Sequence, residues 1–224
     1  MIKKILILFS ASLISCGLFS STFEGLSIGI GAQVETIENR FKDTLYGVST
    51  QNDHGNTFIC PTLDLNYSWR VYPCWFIGLG VHSNPNNSPC GIERVRSGAT
   101  DFCFSAHLRG QYGIYVKPMY TLDEKTCLYA KAGYESARLV IQDITGELAS
   151  FTSASFVEKM RLRGYRMGLG IKRFITERLF IEVEASYTTF RPRSLEGITA
   201  YNDRTSSEMI LKSCSGNVGI GLTL

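Results

Sequence analysis

Along most of the chain, apolar and polar residues alternate one by one, the period of a strand whose two faces meet different surroundings. The clearest run is Asp101 to Pro118. Its even positions hold Phe102, Phe104, Ala106, Leu108, Gly110, Tyr112, Ile114 and Val116. Its odd positions hold Asp101, Cys103, Ser105, His107, Arg109, Gln111, Gly113, Tyr115 and Lys117. The run outlasts a globular strand of about 5–6 residues and suits a tilted membrane strand of about 9–11 residues that projects past the bilayer. Similar segments at 23–36, 56–71, 74–83, 126–141, 160–174, 178–190 and 209–223 bring the predicted strands to eight. The stretches between them alternate in length. Residues 37–55, 84–100, 142–159 and 191–208 are long and polar, whereas Tyr72-Pro73, Thr121 to Lys125 and Ile175 to Glu177 are short. Four long loops on one side and three short turns on the other predict an all-β, eight-stranded antiparallel up-and-down barrel.

Alternation alone fits both a soluble barrel around a ligand and a membrane barrel facing lipid. The polar face separates them. It carries Glu35, Asp64, Asn66, His107, Arg109, Gln111, Lys131, Glu135, Arg166, Lys172, Glu182 and Glu184, with Gly29, Gly31, Gly78, Gly80, Gly168, Gly170, Gly219 and Gly221 between them. A narrow lumen needs small residues where long charged side chains cross it. On a solvated outer face the same glycines only weaken strands. Tyr67, Trp69, Tyr72, Trp75 and Tyr120 gather near the short turns, as in the aromatic girdle of a transmembrane barrel.

The N-terminus reads as an address. Lys3 and Lys4, apolar Ile5 to Ile14, then Ser15, Cys16 and Gly17 form a secretory signal. The expected organisation is a signal peptide over 1–22, cut somewhere in 15–22, and a barrel domain over 23–224. Leu13-Ile-Ser-Cys16 also fits a lipobox that leaves Cys16 lipidated, and ordinary cleavage sites overlap it. Composition narrows the rest. With 44% hydrophobic and 19% charged residues the chain is not disordered, and a formal charge of +3 gives no nucleic-acid footprint. Beyond the N-terminus no apolar run reaches the roughly 20 residues of a membrane helix.

The stretch Tyr115-Val-Lys-Pro-Met-Tyr-Thr-Leu-Asp-Glu-Lys-Thr-Cys-Leu-Tyr-Ala-Lys-Ala-Gly-Tyr134 resembles the strand–turn–strand of the small outer-membrane β-barrel family, which includes opacity-type surface proteins and the outer-membrane-protein-A transmembrane domain. By pattern the resemblance spans 23–224; by motif it covers this hairpin. It implies a bacterial outer-membrane location and a surface antigen, adhesin or envelope structural role exerted through the four long loops. A narrow porin-like pore is the alternative it leaves open, and a lipid-modifying outer-membrane enzyme stands third. The implied partners are outer-membrane lipid and lipopolysaccharide, the barrel-assembly machinery, and a host-surface ligand met by the loops. The family's last strand usually ends in an aromatic residue that the assembly machinery reads, whereas this sequence closes Gly-Ile-Gly-Leu-Thr-Leu224.

Candidate chemistry is sparse, and the reading is non-enzymatic. Asp64, Glu135, Glu182 and Glu184 share the proposed lumen with Arg109, Lys131, Arg166 and Lys172. An interior just wide enough for side chains favours a salt-bridge network over a conduit. Glu182 and Glu184, two apart on one strand face, are lumen charges rather than an acid/base pair. His107 near Ser105 suits lipid hydrolysis only if it faces lipid, and parity turns it inward. The repeated Gly-x-Gly lacks the third glycine of a nucleotide loop. Arg161, Arg163 and Arg166, with Arg191 and Arg193, gather toward the loop-side ends of two strands. There they suit anionic headgroups or a plain solvated rim. Cys60, Cys74, Cys90, Cys103, Cys127 and Cys214 show no zinc spacing. Cys74 with Cys127 and Cys90 with Cys103 are the candidate disulfides, and no cofactor or metal is expected.

Overall fold

The computed structural model describes residues 21–45, 48–97, 100–143, 157–198 and 204–224. Most of the expected leader, Cys16 included, lies outside them, as does the middle of the 142–159 segment. The strands are β1 (Gly25–Leu45), β2 (Val48–Tyr72), β3 (Trp75–Ser97), β4 (Thr100–Thr121) and β5 (Thr126–Asp143). They continue with β6 (Val157–Phe174), β7 (Leu179–Phe190), β8 (Arg193–Ile198) and β9 (Arg204–Thr223). Each pairs antiparallel with the next as far as β7, β7 pairs with β9, and β9 returns to β1. Short β8 lies on β9 beyond the end of β7, so the wall is an eight-stranded closed barrel. Closure leaves its lower rim without a strand edge.

Two expected loops are hairpin arms instead. The β1–β2 ladder runs unbroken to Leu45↔Val48, and the β3–β4 ladder reaches Ser97↔Thr100. Polar side chains do not stop pairing, because hairpin backbones satisfy one another whatever their side chains face. Within 191–208, β8 likewise pairs with β9.

Above the barrel the wall divides. The last β2–β3 pair is Leu63↔Ser83, and continuing that register one step past Thr62 and Asn84 sets Pro61 opposite Pro85. Neither proline has an N–H to give to the ladder, so the seam ends there. On the far side the β6–β7 ladder ends at Gly164↔Phe190. From there up, β3 to β6 form one leaf, and β8, β9, β1 and β2 form the other.

A β-bulge in β4 corrects the simple parity of 101–118. The β4–β5 register shifts between Arg109 and Tyr112, and Gly110 takes φ 54°, the left-handed conformation of a glycine bulge. Below it the odd residues Gln111, Tyr115 and Lys117 are buried; above it the even residues Ala106 and Leu108 are.

The interior is layered. At the short-turn end Phe23, Phe76, Met119, Cys127, Tyr129, Phe174 and Phe180 pack together. Phe23, carried by a 3-10 turn at Ser21–Phe23, stands edge-on to Phe174 with ring centroids 5.1 Å apart. At the arm end Ile37, Cys90, Ala106, Leu108, Ala137, Leu139, Leu162, Phe190, Met209 and Leu211 form a second apolar cluster. Polar residues fill the level between. The outer wall is the inverse: Met167 and Leu169 are each 68% exposed, and Ile30, Leu79, Ile114, Val183 and Val218 continue the apolar belt.

Candidate functional site

The middle layer is built by strand parity: inward positions of β1 to β7 and β9 carry ionisable or hydrogen-bonding side chains between the two apolar clusters. Glycines give the long ones room. A Cβ on Gly80 would collide with the Tyr115 phenol, and one on Gly170 with that of Tyr129. The Gly-x-Gly repeats thus serve packing.

At the heart of the layer, Lys131 Nζ lies 3.1 Å from Asp64 and 3.3 Å from Glu184, whose other oxygen is 3.3 Å from Arg166. Lys117 donates to Glu182 at 2.9 Å. Tyr115 donates to Asp64, and Tyr129 to Glu184 at 3.3 Å. The same rings sit beneath the ammonium groups, Lys117 at 3.8 Å from the Tyr129 centroid and Lys131 at 4.0 Å from that of Tyr115. Each lysine therefore has both a carboxylate and a π face.

Toward the arms, His82 Nε2 is 2.7 Å from Glu135, and Arg166 donates to Gln33 at 3.0 Å. Among the described residues Glu35 meets neutral donors, from Gln33, Gln111 and Ser213. This region holds buried polar atoms without a protein partner, among them His82 Nδ1, Asn84 Oδ1 and Arg166 Nε.

Of the residues singled out in sequence, Asp64, Lys131, Glu184 and Arg166 meet in one chain of contacts, with Glu182 joined to Lys117 beside it. Glu135 pairs instead with His82. Lys172 belongs to the lower layer, donating to Ser27 at 3.2 Å with its ammonium 3.6 Å from the Phe180 centroid. Arg109 must be removed from the lumen. The Gly110 bulge turns it outward, where it donates to Asn87 at 2.9 Å. His107, above the same bulge, turns outward with it rather than inward. Glu182 faces Lys117, and Glu184 faces Lys131 and Arg166.

Lys117, His82, Tyr115 and Tyr129 complete the layer although the sequence reading left them out of it. All four occupy inward rows that strand parity already defines, so the signal was present.

The arginine grouping also changes: Arg166 is buried within the barrel, whereas Arg161, Arg163, Arg191 and Arg193 are exposed outside it. Neither proposed disulfide forms. Cys74 is disulfide-bonded while Cys127 keeps a buried thiol, and Cys90 also remains a thiol. Cys127 sits among the aromatic rings of the lower cluster. The Cys103 side chain lies outside the described residues.

What this arrangement can do is hold charges fixed against one another. No family model matches the chain, and no curated protein matches it in sequence. Among solved structures it is similar to the outer membrane protein OprG from Pseudomonas aeruginosa, at TM-score 0.59 and 14% identity, over 90% of this chain and 96% of that one. It is also similar to the outer membrane protease OmpT from Escherichia coli, at TM-score 0.51 and 9% identity, over 93% of this chain and 100% of that one. At these identities what is shared is the fold.

Proposed function

We propose that this protein is an integral outer-membrane barrel of the bacterial envelope, a structural and surface-contact protein that turns its hairpin arms outward and conducts nothing. The supporting observation is the inverted distribution of its side chains. An exposed apolar belt surrounds an interior whose charged layer is shut in by an apolar cluster at each end. In water such a belt is unfavourable by about 25 cal/mol per Å², and lipid removes that cost. Tyr67, Trp69, Tyr72 and Trp75 are exposed at the short-turn border, where amphipathic rings suit a headgroup layer. The arms carry the surface role, antigen or adhesin, because they stand clear of the belt on the side opposite the short turns. The resemblance to opacity-type proteins supports the same reading, and the similarity to outer-membrane barrels supports the location.

Protein refolded in detergent and reconstituted in planar bilayers tests this. The expected result is an unheated gel band that migrates faster than the boiled one, together with no discrete conductance steps. A chain that stays soluble without detergent overturns the membrane reading, and stable ion conductance replaces the structural role with the pore.

A further inference from the structure

Among the described residues, six arginines stand on the outside of the wall at the arm-side border of the belt: Arg109, Arg138, Arg161, Arg163, Arg191 and Arg193, all exposed. Strand register places three of them in a row across neighbouring strands, Arg109 opposite Arg138 on β5 and Arg138 opposite Arg161 on β6. Like charges directly opposite one another on one face destabilise a sheet, so the row works against the fold unless an anion is shared between its members. Among the described residues the protein supplies none. Among the described residues these arginines touch only neutral groups: Arg109 the Asn87 side chain, Arg161 the Tyr112 hydroxyl, Arg191 the Tyr165 hydroxyl at 3.2 Å, and Arg193 the Arg161 carbonyl at 3.3 Å.

Height fixes the class of anion. Immediately below the row lie Tyr112, Tyr165 and Tyr187, exposed, with Tyr134 packed edge-on against Tyr165 at 6.1 Å between centroids. Ile114 is level in register with Tyr134 and Tyr165, and Met167 with Tyr187, so these tyrosines are set in the top of the apolar belt. In the membrane orientation proposed above, on which this inference rests, that order places the guanidinium groups at the level of lipid headgroups. Planar guanidinium forks match phosphate oxygens. A simple solvated rim needs no cross-strand alignment of like charge, and the belt below favours a ligand with an apolar tail.

We infer that the β4–β6 wall is a binding site for the phosphorylated headgroup of a lipid in the arm-side leaflet, with Arg109, Arg138 and Arg161 sharing its phosphate and the tyrosine row packing on its acyl chains. The site draws on one wall only.

The test uses the full chain folded in neutral detergent and titrated with a bisphosphorylated glycolipid, with the same glycolipid after removal of its phosphates, and with inorganic phosphate. Native mass spectrometry counts bound lipid, and unheated gel migration reports folding in every sample. The expected result is retention of the phosphorylated lipid at least about tenfold tighter than the dephosphorylated one. The triple variant Arg109→Gln, Arg138→Gln, Arg161→Gln loses that preference while still giving the fast-migrating band. The variant Arg40→Gln keeps the preference. If inorganic phosphate competes at millimolar concentration, the arginines read phosphate itself; if it does not, they read it as part of the lipid, and either result keeps the site. Equal retention of the two lipids overturns the inference, as does a folded triple variant with undiminished preference. Should the triple variant fail to fold, Arg138→Gln alone with a salt titration of the native protein decides, since binding through phosphate must weaken with added salt. A native protein without the fast-migrating band indicts the barrel reading and not this site.

Discussion

Cations occur in two settings in this molecule, and they are matched differently. Inside the barrel Lys117, Lys131 and Arg166 each lie within 3.3 Å of a carboxylate from another strand. Outside, the six rim arginines meet no carboxylate among the described residues. Burial explains the contrast. An unmatched charge in the interior carries a desolvation penalty of several kcal/mol, so the fold supplies a carboxylate to these three and, for buried Lys172, the Ser27 hydroxyl and the Phe180 ring. At the rim, water tolerates a lone guanidinium, and the counter-charge can come from another molecule. The interior charges therefore read as structure and the exterior ones as recognition.

The largest effect should come from breaking an interior match. Glu184→Ala leaves Lys131 and Arg166 under-compensated and should lower unfolding stability in vesicles by about 3–5 kcal/mol. Lys117→Met combined with Glu182→Leu removes a whole pair and should cost much less; equal losses for the two changes would erase the distinction between the settings. Next is a cation placed in the belt instead of at its border. Leu169→Arg should cost about 2–4 kcal/mol by the same measurement. A smaller effect of opposite sign sharpens the contrast. In lipid-free detergent the Arg109, Arg138 and Arg161 triple glutamine variant should gain about 0.2–1 kcal/mol, because the like-charge repulsion relieved outweighs the loss of exposed hydrogen bonds to Asn87 and Tyr112.

The smallest effect lies in the β4–β5 turn. Slight burial works upward on the Asp123 carboxyl, but hydrogen bonds from Lys125 and Thr126 outweigh it and hold the group below its ordinary value. A depressed folded-state value means that the contribution is fully present above about pH 4, the ordinary aspartate value, and is lost as pH falls through the folded one. Asp123→Ala should therefore destabilise slightly at neutral pH, and the gap to the native protein should close in acid. A gap that persists at the lowest pH would assign the effect to backbone conformation instead.

Parity made the barrel, its eight-strand circumference and most of the interior charges legible, because one-by-one alternation sorts residues between two environments whatever the details of pairing. It failed where one residue changes the count. Gly110 stood in the apolar row as an ordinary member, and nothing nearby marked it as the bulge that carries Arg109 and His107 outward. Parity also could not say which inward charges touch. Lys172 shares a face with Glu182, yet settles on phenylalanine rings nearer the turns. The arms were hidden by composition, since Asn, Asp and Ser suggest loops even where a partner strand satisfies the backbone. The cysteine pairs rest on nearness to turns, and a disulfide needs a specific separation and direction of the two Cβ atoms that nearness does not supply: Cys74 and Cys127 are both buried, yet Cys127 stays a thiol.

The proline stop between β2 and β3 has a mechanical consequence. Below Leu63 and Ser83 the wall is a closed hoop, in which any change of diameter strains every strand at once. Above them, with the β6–β7 ladder also ended, the backbone hoop is slit on two sides, and the leaves meet through side chains instead of ladder hydrogen bonds. The molecule is built like a collet, a stiff sleeve carrying two jaws. Their facing sides close on Ile37, Cys90, Leu108, Leu139, Leu162, Met209 and Leu211, so the jaws grip the molecule's own apolar cluster while the sleeve keeps its shape.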